Sequence, residues 1–100
     1  MYAVIFRSIR TPHSEELYAE HSARMELLVK KIPGYISHHG QRDPISREGT
    51  TISYFESLES IKQWREHLEH RETQKLGKEL FYEKYEVQVV KVERKYEWVK

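Results

Sequence analysis

Histidine and aromatic side chains carry most of the chemical potential of this 100-residue chain, which contains six His, two Trp, seven Tyr and no Cys. The absence of a thiol excludes a disulfide scaffold, a thiolate metal site and a cysteine nucleophile. Any chemistry must therefore come from imidazoles, aromatic rings and the electrons of the substrate itself. A chain without cysteine also suits a reducing compartment, so we expect a cytoplasmic protein.

His21 is the first candidate for a catalytic base. It lies between Leu17 and Met25 at helical spacing, on the apolar face of a predicted helix. A half-buried imidazole there could take the proton of a phenol, and the deprotonated substrate could then pass an electron to O2. The same spacing is typical of a core histidine that is satisfied by one hydrogen bond, and that is the commoner arrangement.

The remaining histidines of interest form two close pairs. His67 and His70 are three residues apart, so they share one face if the helix continues through them. That spacing can chelate a metal, but no third ligand is evident, and we predict no metal site. His38 and His39 are adjacent on a predicted strand and must point to opposite faces of a sheet. We expect one of them to face the helices and the other a partner subunit.

Trp64 has two interpretations. Its indole could form a flat wall that stacks against a polycyclic substrate and leaves the N–H free to donate. Alternatively Trp64 is a core residue, because Ile61, Trp64 and Leu68 form a plain amphipathic stripe on a predicted helix.

The hydrophobic pattern predicts four strands, at residues 2–10, 35–42, 50–56 and 85–98. The apolar phase of the last strand slips at Val89-Val90, which predicts a bulge there.

Three helices are predicted between these strands. The first begins with Pro12 in its first turn or with Ser14 as its N-cap, and Pro33-Gly34 stops it. Ser57 is predicted to cap the second helix. The helical spacing of apolar residues is interrupted at residues 67–70, which predicts a break before a short third helix.

This order of elements predicts a ferredoxin-like βαββαβ fold, which is an α+β class with one four-stranded antiparallel sheet. Helices cover one face of such a sheet. The first, third and last strands are apolar on both faces, so the second face needs a cover too. A second copy of the chain, packed sheet to sheet, is the economical cover. We therefore predict a homodimer, in which the long last strand could cross to the partner.

Length and charge exclude several function classes. One hundred residues suffice for a single domain, 1–100. The 17 basic and 16 acidic side chains give a net charge of +1 and are spread over both halves, so there is no basic footprint for nucleic acid. No stretch approaches the roughly 20 apolar residues of a membrane span. We expect neither a nucleic-acid partner nor a membrane.

Residues 52–64 resemble the antibiotic biosynthesis monooxygenase (ABM) family of small dimeric α+β barrels, in which a strand, an aromatic-Glu-Ser turn and a Trp-bearing helix follow one another. The resemblance continues through residues 67–79 and the Val-rich last strand. Upstream, the Pro33-Gly34-Tyr35 entry into the second strand is similar to the family's. The resemblance thus covers nearly the whole chain as one ABM-like domain.

The resemblance implies a cofactor-independent monooxygenase that oxidises a small aromatic or quinol-type substrate with O2. Its pocket would lie between the helices and the sheet and be lined by Trp64. His70 falls at the border of that pocket and is the second candidate for proton transfer. Tyr54 and Tyr82 could donate hydrogen bonds to a quinone oxygen, and Met25 could line the pocket.

Two departures from the resembled family bear on activity. The haem-degrading branch uses an Asn on the first strand and a His where this chain has Gln74; residues 2–10 contain no Asn, so haem binding is disfavoured. The polyketide-oxidising branch has an Asn one turn before the Trp, where this chain has Ser60. The alternative function is a non-catalytic dimer that binds a small apolar ligand, its pocket filled by side chains such as Trp64 and Met25.

Overall fold

The computed structural model describes all residues from 1 to 100. Its elements are, in chain order, β1 (Tyr2–Arg10), α1 (Glu15–Val29), β2 (Tyr35–Arg42), β3 (Glu48–Phe55), α2 (Leu58–Glu66), α3 (Leu68–Leu76), a π-helical turn (Gly77–Phe81) and β4 (Tyr82–Lys91). The strands form one antiparallel sheet in the order β2-β3-β1-β4. The predicted ferredoxin-like fold is confirmed. None of the helices is long and apolar enough to cross a membrane.

The helix ends show where local sequence signals succeed and fail. The Ser57 hydroxyl accepts a hydrogen bond from the Ser60 amide at 3.1 Å and caps α2, as predicted. The predicted break is also confirmed, because His67 leaves the helical conformation between α2 and α3. Ser14 precedes α1 but makes no side-chain cap. Its φ of 61° is left-handed, whereas a capping side chain needs an extended backbone to reach the first turn.

The last strand differs from its prediction in three ways, the first being that it begins at Tyr82 rather than at residue 85. Val89 and Val90 pair in register with β1, so the predicted bulge there is wrong; the irregularity lies opposite Ile9 and Arg10 instead. The slip in apolar phase reflects apolar side chains on both faces of β4. The strand also ends at Lys91 rather than near residue 98, because Lys91 already pairs with the first residue of β1.

The core lies between the sheet and the helices, at the start of β1. Phe55 is completely buried, together with Val29 of α1 and Ile61 of α2. Tyr2, Val4, Tyr35 and Trp64 pack around them. Only 10 of the 100 residues are buried in one chain, and Val87 and Val89 of β4 remain about half exposed. A single chain therefore leaves much of its apolar strand surface in water.

Candidate functional site

Trp64 and His70 form a stacked pair at the junction of α2 and α3. Their ring centroids are 4.1 Å apart and their planes are inclined by 11°. The His70 Nδ1 atom lies 2.9 Å from the Trp64 carbonyl oxygen. A carbonyl oxygen only accepts, so Nδ1 carries the proton and donates it. His70 Nε2 then carries a free lone pair and is the basic atom of the ring.

The surroundings of His70 keep its imidazole neutral. Burial lowers the pKa of His70 below its ordinary value of 6.5, and the hydrogen bond to Trp64 only partly opposes that effect. Nearby His67 acts in the same direction as burial. A ring that is neutral at pH 7 and has its tautomer fixed can accept a proton through Nε2. This is the protonation state that a general base requires.

His67 completes the aromatic group at this junction. Its ring lies 6.0 Å from the Trp64 ring, and its Nδ1 atom is buried without a hydrogen-bond partner. No group of three or more His, Cys, Asp or Glu side chains is placed to hold a metal ion.

His21 and Met25 lie between α1 and α3, beside a small cavity of about 90 Å³. His21 Nδ1 is 3.1 Å from the Thr73 hydroxyl, so the imidazole makes one side-chain hydrogen bond. An ion pair between Arg24 and Glu69 joins the same two helices. His21 therefore has the environment of a hydrogen-bonded histidine at the contact between α1 and α3. Its partner Thr73 lies one turn along α3 from His70.

Tyr82 belongs to a separate aromatic group at the start of β4. Its ring lies 5.3 Å from Phe6, 5.9 Å from Tyr85 and 6.1 Å from Tyr18. Burial, followed by the nearby Tyr18 hydroxyl, raises the pKa of Tyr82 well above 10. Its hydroxyl therefore stays protonated at all physiological pH values and can act as a hydrogen-bond donor.

Tyr54 lies on the face of the sheet that is turned away from the helices. Phe55 points into the core under the helices, and successive residues of a strand alternate between faces. Tyr54 pairs with Ala3, on the same outer face. One chain therefore does not bring Tyr54 together with Trp64 and His70.

The adjacent histidines of β2 do point to opposite faces. His38 is on the helix side, where its Nδ1 is 2.6 Å from the Tyr35 hydroxyl and its Nε2 is 3.8 Å from Glu26 of α1. His39 is exposed on the other face. Neither lies in contact with the Trp64–His70 pair.

A family model described as antibiotic biosynthesis monooxygenase matches residues 1–76. The chain belongs to the antibiotic biosynthesis monooxygenase family. It is 38% identical over 93 residues to the uncharacterized protein YqjZ of Bacillus subtilis (strain 168), a match that covers 93% of this chain and 80% of that protein.

Two solved structures show the same fold at low identity. Rv0793 from Mycobacterium tuberculosis superposes with a TM-score of 0.82 at 16% identity, covering 96% of this chain and 98% of its own. SnoaB, a cofactor-independent oxygenase from Streptomyces nogalater, superposes with a TM-score of 0.78 at 10% identity, covering 94% of each chain.

Ser60 of this ABM-family chain has a packing role. It is buried, and its hydroxyl lies 3.0 Å from the Ser57 hydroxyl. A Cβ atom added at Gly34 would lie only 2.0 Å from Ser60 Oγ, so the Gly34 turn, with its φ of 90°, packs directly against this side chain. Asn, which the polyketide-oxidising branch of the resembled family has at this position, is longer than Ser. It would need the space that Gly34 fills.

Two residues with notable contacts were not singled out from the sequence: Thr73, which contacts His21, and Arg10, at the other end of β1. Thr73 is one helical turn from His70, so the helical spacing could have suggested its contact with His21. Arg10 carries no such signal, because it ends a strand and meets its partners only through the tertiary fold.

Proposed function

We propose that this protein is a cofactor-independent monooxygenase that oxidises a small aromatic or quinol-type substrate with O2. The observation that carries the proposal is the Trp64–His70 pair, in which a neutral imidazole with a fixed tautomer presents an unengaged Nε2. Membership of the ABM family supports the reaction class. The structural similarity to SnoaB also supports the proposal, because SnoaB is a cofactor-independent oxygenase with the same fold.

His70 acts as the base in the proposed reaction. Its Nε2 takes the proton of a substrate hydroxyl, and the resulting phenolate passes one electron to O2. The substrate radical and superoxide combine at a ring carbon that bears hydrogen. The proton returns from His70 to the peroxide, and loss of water from the hydroperoxide leaves a quinone. One oxygen atom of O2 ends in the product and the other in water, and all the electrons come from the substrate.

Trp64 positions the base in this scheme. Its carbonyl fixes the His70 tautomer, and its ring fixes the plane of the imidazole. The indole face turned to His70 is closed to a substrate, so stacking of a substrate must use the remaining surface of the ring. His21 and Met25 line the neighbouring helix contact, whereas Tyr82 pairs with Arg10 at the other end of β1 and does not share this site.

Oxygen uptake with a panel of anthrones and dihydroxyaromatics tests the proposal. We expect uptake above buffer with at least one substrate, and a fall of roughly 10²- to 10⁴-fold in His70→Gln. His21→Gln is the matched control, because it removes an imidazole from the adjacent helix contact. A larger loss in His21→Gln than in His70→Gln would move the base to His21, and no uptake across the panel would refute the monooxygenase.

We also propose that the working unit is a homodimer. Proteins of the ABM family are typically dimeric. Val90 of β4 is partly exposed in one chain and pairs with Ala3, so it lies on the outer face of the sheet together with Ile52 and Tyr54. A second sheet packed on this surface would remove it from water. A sedimentation mass equal to one chain would contradict the dimer.

A non-catalytic dimer that binds a small apolar ligand is the second candidate. The observation behind it is that the cavity beside His21 and Met25, at about 90 Å³, is too small for a polycyclic substrate, since a typical ligand pocket has about 300–1,000 Å³. Binding of an apolar fluorescent probe without oxygen uptake, unchanged by His70→Gln, would support this candidate over the enzyme.

A further inference from the structure

Three arginines surround one carboxylate at the end of β1 opposite Trp64. Arg10 ends β1, while Arg42 and Arg47 come from the end of β2 and the loop to β3. Glu15 Oε1 lies 3.4 Å from Arg10 Nη2 and forms an ion pair with Arg47. The hydrogen bond from Arg47, and then the charges of Arg10, Arg47 and Arg42, lower the pKa of Glu15. The three guanidinium groups outnumber the one carboxylate that forms ion pairs with them.

The backbone holds these guanidinium groups in place without help from Glu15. Arg10 Nη1 donates to the Phe81 carbonyl at 2.6 Å, and Arg47 Nη2 donates to the Thr11 carbonyl at 2.6 Å. Arg42 donates to the Arg47 carbonyl at 2.7 Å and to the Ser8 hydroxyl at 2.8 Å.

Two more features fix the positions of the arginines. A Cβ atom at Gly49 would lie 2.6 Å from Arg42 Cζ, so the glycine makes room for that guanidinium. The Arg10 guanidinium stacks 3.8 Å above the Tyr18 ring. The cluster is therefore preorganised by groups other than its carboxylate.

Two of the buried arginine donor atoms have no acceptor. Arg10 is only 2% exposed, yet its Nη2 makes no hydrogen bond despite the nearby Glu15 oxygen. Arg47 Nε is also buried without a partner. Buried guanidinium N–H groups are costly to leave unpaired, so the cluster would be satisfied by additional acceptor oxygens.

Glu15 is poorly fitted to be the permanent occupant. One of its oxygens serves both Arg10 and Arg47, and its side chain is 58% exposed. It is the first residue of α1, so its side chain can turn outward without disturbing the helix.

We propose that Arg10, Arg42 and Arg47 bind the oxyanion group of a small ligand, a carboxylate or a phosphate, and that Glu15 occupies this place when the ligand is absent. The planar forks of arginine match the oxygens of both groups. The N-terminus of the 15-residue helix α1 adds partial positive charge from its first turn. The site lies at the opposite end of β1 from Trp64 and does not depend on the monooxygenase proposal.

Titration with inorganic phosphate and with benzoate tests the site, using calorimetry and the thermal midpoint of unfolding in about 0.15 M salt. We expect Glu15→Gln to bind at least one of these anions at least about tenfold more tightly than the unmodified protein, because the competing carboxylate is gone. The preferred anion distinguishes a carboxylate ligand from a phosphate ligand. Glu16→Gln is the matched control, since it removes the same charge one residue away, and its affinity should stay near that of the unmodified protein.

A second substitution tests whether the anion binds at the arginine cluster. Adding Arg47→Gln to Glu15→Gln should abolish the gain, whereas adding Arg24→Gln, which removes an arginine on the α3 side of α1, should preserve it. Circular dichroism verifies that each variant is folded. The proposal is overturned if Glu15→Gln binds neither anion at concentrations on the order of 10 mM, if Glu16→Gln gains as much, or if the Arg47 change has no effect.

Discussion

Around Trp64 the helix-covered face of the sheet is apolar and aromatic, whereas around Arg10 the same face is ionic. Phe55 and Ile61 bury apolar surface at the first end, and Trp64 stacks on His70 there. At the second end Arg10 is equally buried but is held by a carbonyl and an aromatic ring, with the Glu15 carboxylate beside it. One strand, β1, supplies both environments within nine residues. The comparison shows that burial alone does not make a core; the kind of partner decides what a buried position does.

The largest effect is expected at the apolar end. Phe55→Ala should lower the free energy of unfolding by about 3–5 kcal/mol, because it removes a completely buried ring from close packing. Urea unfolding followed by circular dichroism measures the change. Leu27→Ala is the control on exposed α1 surface and should stay within about 0.5 kcal/mol. Equal effects of the two substitutions would show that Phe55 is not the centre of the core.

A smaller effect is expected at the ionic end. Arg10→Met should cost about 1.5–3 kcal/mol, since it removes a charged donor from the Phe81 carbonyl while keeping apolar bulk under Tyr18. Arg7→Met provides the comparison, because the Arg7–Glu86 pair is exposed and should contribute less than about 1 kcal/mol. The same unfolding experiment reports both values. If Arg10→Met is neutral, the arginine serves binding and not stability.

The smallest effect is a pH dependence at the aromatic end. The folded pKa of His70 lies below its unfolded value, so the unfolded chain binds more protons as the pH falls through about 6.5. Stability should therefore decrease below that pH, by at most about 1.4 kcal/mol per pH unit from this group, until the folded pKa is passed.

Two variants separate His70 from the other histidines. The decrease should be weaker in His70→Gln, and His39→Gln, which changes an exposed imidazole, should retain it. Unfolding midpoints between pH 5 and pH 8 measure the dependence. An unchanged profile in His70→Gln would mean that burial does not perturb this ring.

The pH response of the ionic end has the same sign but a different range. Its arginine partners lower the pKa of Glu15, so the ion pair is intact above the ordinary carboxyl range and is lost as the pH falls through the folded pKa. Salt should weaken this response more than that of His70, because Glu15 is exposed. Measurements at low and high salt distinguish the two ends.

Much of the fold follows from local patterns. β1 and β2 have the predicted bounds, and Ser57 caps α2 as expected, because alternation and capping depend on neighbouring residues alone. The last strand was mispredicted because its length depends on β1, which ends the pairing at Lys91. Ser14 is the N-cap residue of α1, as predicted, but its side chain makes no capping hydrogen bond because the backbone takes a left-handed turn there.

The candidate site follows from the sequence only in its composition. His70 and Trp64 were each candidates, but their stacking depends on the angle between α2 and α3 at His67. Tyr54 lies on the outer face because the neighbouring Phe55 is packed in the core, and that packing depends on the tertiary fold. Arg10, Glu15, Arg42 and Arg47 form no motif, because long-range packing brings them together.

The sequence by itself determined the element order and the ferredoxin-like fold, because these depend on periodicity and residue type, and its match to a family model determined the family. The absence of Cys also excluded thiol chemistry. The tertiary structure decided which nitrogen of His70 is basic, which face receives Tyr54, and which charges meet at Arg10. The physical reason is distance along the chain: hydrogen bonds and ion pairs act over a few ångströms, and only folding brings residues from separate elements within that range.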